Sequence, residues 1–218
     1  ISMYSFNYLK PLSIEDAVSL LSESDEYKVI SGGMTLIPTL KQRLARVEKL
    51  IGLEKCRLNE IELEGEFLKI GAMLTHSEVS ESDIVKVENP AVAELASHIG
   101  DRQVRNRGTI GGSIANNDPS ACYPAAILAL GGIIHTTKRN IKAEEFFVDL
   151  FETALEEDEI ITAISLPKPD AAAYEKFPNP ASRYAMVGVF VAKFNSEIKV
   201  AVTGAGEEGV FRCSEMKQ

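Results

Sequence analysis

Cysteine is scarce in this chain of 218 residues: Cys56, Cys122 and Cys213 lie far apart and show no C-x-x-C spacing. That pattern excludes a disulfide framework and any zinc or iron–sulfur site built by this chain alone. Long apolar runs are missing too. The longest, around Ala125–Leu130 and Ala185–Ala192, fall far short of the roughly 20 residues a membrane-spanning helix needs. No run of lysine or arginine interrupts a formal net charge of −9, and an acidic surface repels phosphate backbones, so nucleic acid is not an expected partner. The opening "ISMYSFNYLKP" has neither a basic start nor an apolar core. No secretory leader is read there, and the expected location is the cytoplasm. Aromatic residues make up only 7%, but 45% hydrophobic and 25% charged residues are an ordinary globular balance, enough for one or two domains.

What is present begins with a short α/β rhythm. Ser13-Ile-Glu-Asp16 resembles a capping box opening a helix over Ala17, Val18, Leu20 and Leu21. "YKVI" at 27–30 reads as a strand, Thr35 as the cap of a following helix that tolerates Pro38, and "KLIGL" at 49–53 as a second strand. Residues 1–55 therefore read as a small parallel α/β unit. From 56 to about 175 the pattern is mainly antiparallel α+β. Strands are expected at 66–74, Ile110–Ala115, Gly132–Thr137, Glu144–Val148 and Glu159–Leu166, with a capping box at Thr75–Glu78 and a helix over 90–100. "PKPDAAAYEKFPNPAS" at 167–182 holds four prolines and reads as a boundary. Residues 176–218 open a further domain with a hairpin around Asn195-Ser196, and the chain stops soon after it.

Two stretches share a plan: Gly32-Gly33-Met34-Thr35 and Gly108-Thr109-Ile110-Gly111-Gly112-Ser113. Paired glycines adopt positive φ readily, which turns consecutive N–H groups into one concavity that closes on a phosphate. Neighbouring hydroxyls add donors, and the first turn precedes a helix start, which favours an anion. A tight turn explains either pair alone, and spacing leaves both readings open. A literal G-x-G-x-x-G at Gly204, Gly206 and Gly209 lacks the helix and strand a dinucleotide fold requires after it, and reads as a hairpin exit.

"SGGMTLIPTLKQRLA" and "QVRNRGTIGGSIANNDP", with "AYEKF" and "SRYAMVGVFVA" downstream, resemble the FAD-binding medium subunit of molybdenum hydroxylases, nearest the aerobic carbon monoxide dehydrogenase and xanthine dehydrogenase branch. The resemblance runs from about Phe6 to Gly206. It implies an α+β, two-subdomain FAD-binding fold of the vanillyl-alcohol oxidase and MurB type, followed by a small C-terminal domain. It also implies non-covalent FAD, with Ser31, Gly32, Gly33, Met34 and Thr35 wrapping the pyrophosphate and Thr109, Ile110, Gly111, Gly112 and Ser113 completing the cradle. Asp118 and Ile161 match positions near the cofactor, Lys176 one that approaches the flavin, and Tyr184 one that covers the isoalloxazine. A large molybdopterin subunit and a small subunit with [2Fe-2S] clusters are the implied partners. Electrons would travel from those clusters through FAD to an acceptor such as quinone or NAD.

Two features depart from the family pattern. Relatives read D-P-A-A-D-L-P where this chain has Asp118 to Pro124, so Cys122 stands at a usual ribityl or isoalloxazine contact. Relatives also continue beyond the position of Gln218, so the chain reads as shortened. A second hypothesis, a nucleotide-binding or assembly module of the same fold without FAD, stays open on these grounds.

The remaining polar residues read as structural. His76, His98 and His135 have no carboxylate or cysteine at ligand spacing. Arg102, Arg105 and Arg107 are expected to pair with surface carboxylates or a partner rather than a diphosphate, and "EEDE" at 156–159 to form a solvated turn. No nucleophile–base pair is evident, so the residues are read as binders and tuners of a cofactor rather than as acids or bases.

Overall fold

The structure, a computed structural model, describes residues 3–213. Its opening unit contains β1 (Asn7–Leu9), α1 (Ile14–Leu21), β2 (Tyr27–Ile30), α2 (Leu36–Lys41) and β3 (Lys49–Gly52). The three strands are parallel in the order β1-β3-β2, and the two helices make the crossovers that parallel pairing demands. Ser13 caps α1 by accepting from the Asp16 N–H at 3.1 Å. Ala17 and Leu21 then pack on Tyr27, Ile51 and Leu53. Thr35, the expected cap of α2, makes no side-chain cap bond. The turn is shaped instead by Gly33, whose φ of +72° is costly for any other residue, with its carbonyl accepting from the Ile37 N–H at 3.0 Å.

The second unit starts with β4 (Ile61–Glu64) and β5 (Phe67–Gly71). Six helices follow: α3 (His76–Glu81), α4 (Asp83–Glu88), α5 (Pro90–Ser97), α6 (Arg102–Arg105), α7 (Ile110–Asn116) and α8 (Tyr123–Leu130). Then come β6 (Ile133–Thr136), β7 (Asn140–Lys142), α9 (Ala143–Phe146), β8 (Phe147–Asp149), β9 (Glu152–Thr153) and β10 (Ile161–Pro167). The main sheet has the order β4-β5-β10-β6-β7 and is antiparallel throughout. Thr75 and Glu78 form the expected reciprocal capping box. Helix α5 opens on Pro90, and Gly100, just beyond its end, takes φ +56°.

Two expected strands are helical. Residues 110–115 belong to α7, because Ile110 and Ile114, four apart and both fully buried, share one helix face while Thr109 caps the first turn. Residues 143–146 form α9, burying Ala143 and Phe146 three apart, and the strand begins only at Phe147. Helix α8 has no polar face; all eight of its residues are buried. It is the centre of the largest core cluster, with Phe146, Phe190 and Ala201 packed in the same cluster.

The last sheet, β11 (Ala171–Pro178), β12 (Ala185–Phe194), β13 (Glu197–Thr203) and β14 (Phe211–Arg212), is antiparallel in sequential order. The proline-rich stretch is thus not only a linker. It contains edge strand β11, whose register slips between Phe177 and Pro178, where a missing N–H is tolerated. The expected boundary near 175 falls inside this strand. Asn195 (φ +52°) turns the β12–β13 hairpin, while Gly204 (+84°) and Gly209 (+97°) lead the chain into β14, not into a helix.

Candidate functional site

A cavity of about 520 Å³ is walled by both glycine turns. Residues on the two turns touch directly: Ser31 Oγ lies 2.9 Å from Thr109 Oγ1. A Cβ on Gly32 would stand 2.0 Å from the Arg107 carbonyl oxygen, so only a residue without a side chain lets the two backbones meet there. The clasp is extended by short β-like pairing. The His76 N–H donates to the Gly108 carbonyl (3.0 Å) and the Ile110 N–H to that of Leu74 (3.0 Å). These bonds set the start of α7 against the β5–α3 loop and the first residue of α3.

The second glycine pair works differently from the first. Gly111 and Gly112 do not have positive φ; they form the first turn of α7. Their N–H groups are engaged, Gly111 with the Ala72 carbonyl (2.9 Å) and Gly112 with Thr109 Oγ1 (3.1 Å), while the Ser113 N–H goes to the Thr109 carbonyl (3.0 Å). The expectation of free consecutive N–H groups is therefore corrected at this turn. What the pair contributes is close approach. A Cβ on Gly111 would press on Ala72 at 2.7 Å, and one on Gly112 would meet Ser31 Oγ at 2.8 Å and Thr109 Oγ1 at 3.0 Å.

Of the residues singled out from sequence, Ser31, Gly32, Gly33, Met34, Thr35, Thr109, Gly111, Gly112, Ser113, Asp118, Ile161, Lys176 and Tyr184 all line this cavity. Ile110 does not: its side chain is fully buried in the core and its N–H is used. Asp118 Oδ1 accepts from the Ser120 N–H at 2.8 Å, which shapes the loop before α8. Lys176 Nζ donates to the His98 carbonyl at 2.9 Å. Burial, and then the charge of Asp118, hold the Tyr184 phenol above its ordinary pKa, with the Thr35 hydroxyl working against them.

Three further lining residues carry polar chemistry. His76 is almost fully buried, its ring 5.4 Å from that of Tyr123, and its Nδ1 has no hydrogen-bond partner among the described residues. Burial, reinforced by the positive charge of Arg105, pushes its pKa down to about 4, so the ring is neutral at neutral pH. Glu159, read from sequence as part of a solvated turn, is buried. Burial opposes its ionisation, but hydrogen bonds from Arg139 Nε (3.1 Å) and Thr136 Oγ1 (2.6 Å) prevail and hold it at about 2. Cys122 is buried beside Tyr174, whose phenol is pushed up by burial and by the neighbouring thiol. The periodicity that places Glu159 just before a buried pair, Ile160-Ile161, was its only local signal.

Arginines 102, 105 and 107 form no ion pair among the described residues, so of the two expected roles, pairing with surface carboxylates or with a partner, the first is not seen. Arg105 Nη1 donates instead to the carbonyls of Ile99 (3.3 Å) and Gly100 (2.9 Å).

Comparison with known proteins adds identity to this geometry. The family model described as the FAD binding domain in molybdopterin dehydrogenase matches residues 4–169. The nicotine 6-hydroxylase medium subunit of Paenarthrobacter nicotinovorans is 35% identical over 212 residues, covering 92% of this chain and 75% of that protein. Carbon monoxide dehydrogenase from Hydrogenophaga pseudoflava superposes with a TM-score of 0.91 at 34% identity, over 97% of this chain and 78% of the other. Quinoline 2-oxidoreductase from Pseudomonas putida 86 gives 0.92 at 26% identity, over 97% and 78%.

Proposed function

Because this chain belongs to the family of FAD-binding domains of molybdopterin dehydrogenases, we propose that its cavity is the seat of that cofactor and that the named lining residues hold it. The chain is the FAD-binding subunit of a molybdenum hydroxylase or dehydrogenase, and so part of an oxidoreductase. FAD, when bound, supplies a centre that exchanges electrons singly or in pairs.

The residues present suit that group. Gly32 and Gly112 keep one wall free of side chains, as a diphosphate requires, and the Ser113 hydroxyl and the one proton that the Ser31–Thr109 pair does not use internally are donors there. Leu53, Ala121 and Ile161 give an apolar lining that excludes water from a ring system, and Tyr184 provides an aromatic face. His76 stays neutral and adds no charge. Cys122 offers a weak thiol donor where the family pattern has a carboxylate, so a polar contact to the flavin or its ribityl chain falls to Asp118 or Ser120. The observation that carries this reading is the convergence of Ser31 and Thr109 beside a wall that tolerates no Cβ.

In the proposed assembly a large molybdopterin subunit oxidises the substrate and a small iron–sulfur subunit delivers electrons to this chain, from which an acceptor such as quinone or NAD removes them. Among the described residues no helix is long and apolar enough to cross a membrane, and we place the complex in the cytoplasm. The direct test is the visible spectrum of the purified protein. Bound oxidised flavin absorbs at about 450 nm, and a protein that stays colourless after incubation with excess FAD would refute the reading in favour of a scaffold without flavin.

A further inference from the structure

The match to the FAD-binding domain ends at residue 169, but the cavity does not: Lys176, Ser182, Arg183 and Tyr184, from β11 and the turn after it, complete its wall. The same sheet also grips a part of the wall that lies inside the match. This is the 118–122 loop between α7 and α8, from which Asp118, Ser120, Ala121 and Cys122 face the cavity. Three successive carbonyls of the loop accept from the last sheet or from the residue that follows β13. The Gly204 N–H donates to Pro119 (2.8 Å) and the Ala185 N–H to Ser120 (3.3 Å), while Thr203 Oγ1 lies 2.7 Å from the Ala121 oxygen and 2.9 Å from that of Pro119.

Thr203 is fully buried and is not itself in the cavity wall. Opposite it on β12 stands Gly188, where a Cβ would come within 2.9 Å of the Thr203 methyl. The glycine thus makes room for that methyl, and the stiff χ1 of a β-branched residue then directs the hydroxyl at the loop. Its one proton is shared between two carbonyls, of which the Gly204 N–H supports only that of Pro119. From within the loop, Asp118 accepts from the Ser120 N–H through Oδ1 (2.8 Å) and from the Ala121 N–H through its carbonyl (2.9 Å). The loop is therefore pinned on one side by its own aspartate and on the other by a side chain 82 residues away. A valine in place of Thr203 would fill the same volume and leave both carbonyls without that donor, so the loop would loosen at the cavity while the sheet stays packed.

We propose that Thr203 is a positioning residue of the cofactor site: without touching the cofactor, its hydroxyl sets the 118–122 loop, and with it Asp118, Ser120 and Cys122, at the distance from Tyr184 that flavin binding requires. This role rests on the function proposed above. It gives the sheet beyond residue 169 a part in the site that reaches further than the side chains it lends to the wall.

Titration of the full chain with FAD, followed by flavin fluorescence and set beside urea unfolding of the same proteins, tests this. Thr203→Val should bind FAD at least about tenfold more weakly than wild type and alter the visible circular dichroism of the bound flavin. Thr203→Ser keeps the hydroxyl and should stay within about threefold, with the wild-type spectrum. Val200→Ala, buried on the same strand but outside the loop and the cavity wall, should lower the urea midpoint and leave FAD affinity within about twofold. Unchanged binding in Thr203→Val, or equal weakening in Thr203→Val and Val200→Ala, overturns the role. Hydrogen exchange of the wild type gives a reading that does not require any variant to fold. FAD should slow exchange at the Gly204 amide, which lies outside the cavity wall and donates to the loop, and protection confined to the wall overturns the role. A wild-type protein that takes up no FAD overturns the cofactor assignment and the role with it, an outcome distinct from each of the others.

Discussion

The hydroxyl oxygens of Ser31 and Thr109 lie 2.9 Å apart, although 78 residues separate them in the chain. Ser31 follows the end of a parallel strand and Thr109 caps a helix packed on the antiparallel sheet, so one hydrogen bond ties the two units together at the cavity wall. If the bond acts as that tie, the two side chains are energetically coupled. A double-mutant cycle of Ser31→Ala and Thr109→Ala should give a coupling of about 1 kcal/mol in urea unfolding. Thr109→Ala alone should cost about 1 kcal/mol more than Ser31→Ala, because it also removes the α7 cap. Strict additivity of the two would mean the contact is incidental.

The glycines of the two turns should separate into structural and binding classes. A side chain at Gly32 meets backbone, the Arg107 carbonyl, which cannot move away without opening the seam. Gly32→Ala is therefore expected to lose about 2–4 kcal/mol of stability. A side chain at Gly112 meets only the rotatable hydroxyls of Ser31 and Thr109. Gly112→Val should keep a melting temperature within a few degrees of wild type and lose the 450 nm band. Circular dichroism melts and the ratio of visible to ultraviolet absorbance check both, and a fully yellow Gly112→Val protein contradicts the cradle.

His76 predicts a pH dependence with a definite window. Its folded pKa of about 4 lies below the ordinary 6.5, so on acidification the unfolded chain takes up a proton that the folded state refuses. Stability is intact above pH 6.5, falls as the pH drops towards 4, and loses up to about 3 kcal/mol from this group. His76→Leu should flatten that slope. Glu159 acts in a lower window: its folded pKa of about 2 lies below the ordinary 4.5, so its contribution is lost only as pH falls from 4.5 to 2. Urea midpoints between pH 4.5 and 7.5 isolate the histidine. An unchanged slope in His76→Leu would show that other groups control it.

Asn117 holds the loop between β8 and β9. Its backbone is left-handed (φ +43°), and its Nδ2 donates to the carbonyls of Asp149 and Glu152, both at 2.9 Å. Asn117→Ala should cost about 1–3 kcal/mol, since two part-buried hydrogen bonds to the loop carbonyls are lost at a strained backbone position. Asn117→Asp should fare no better at neutral pH, because a carboxylate cannot donate. A change below about 0.5 kcal/mol in either variant would show that the loop is held by other contacts.

Features that depend on neighbours in sequence were legible without coordinates. Thr75 and Glu78 satisfy each other within one helical turn, and Pro90 and Gly100 bracket a helix by their own backbone preferences. Helix α7 was not legible, because Gly111 and Gly112 dilute the apolar pattern and leave two isoleucines that suit either period. The neutrality of His76 and the buried charge of Glu159 depend on partners remote in the chain. The tie from Thr203 to the 118–122 loop exists only where the end of β13 meets the segment before α8.

By itself the sequence determined which residues were able to make close backbone contacts: the glycines, hydroxyls and caps whose conformational freedom is a local property of each residue. Only the tertiary structure decided how those properties were used. It showed that the first glycine turn supplies a left-handed bend while the second supplies a helix start pressed against a strand. The physical reason is that steric contact and unpaired charge are relations between surfaces, which come into being when distant segments pack.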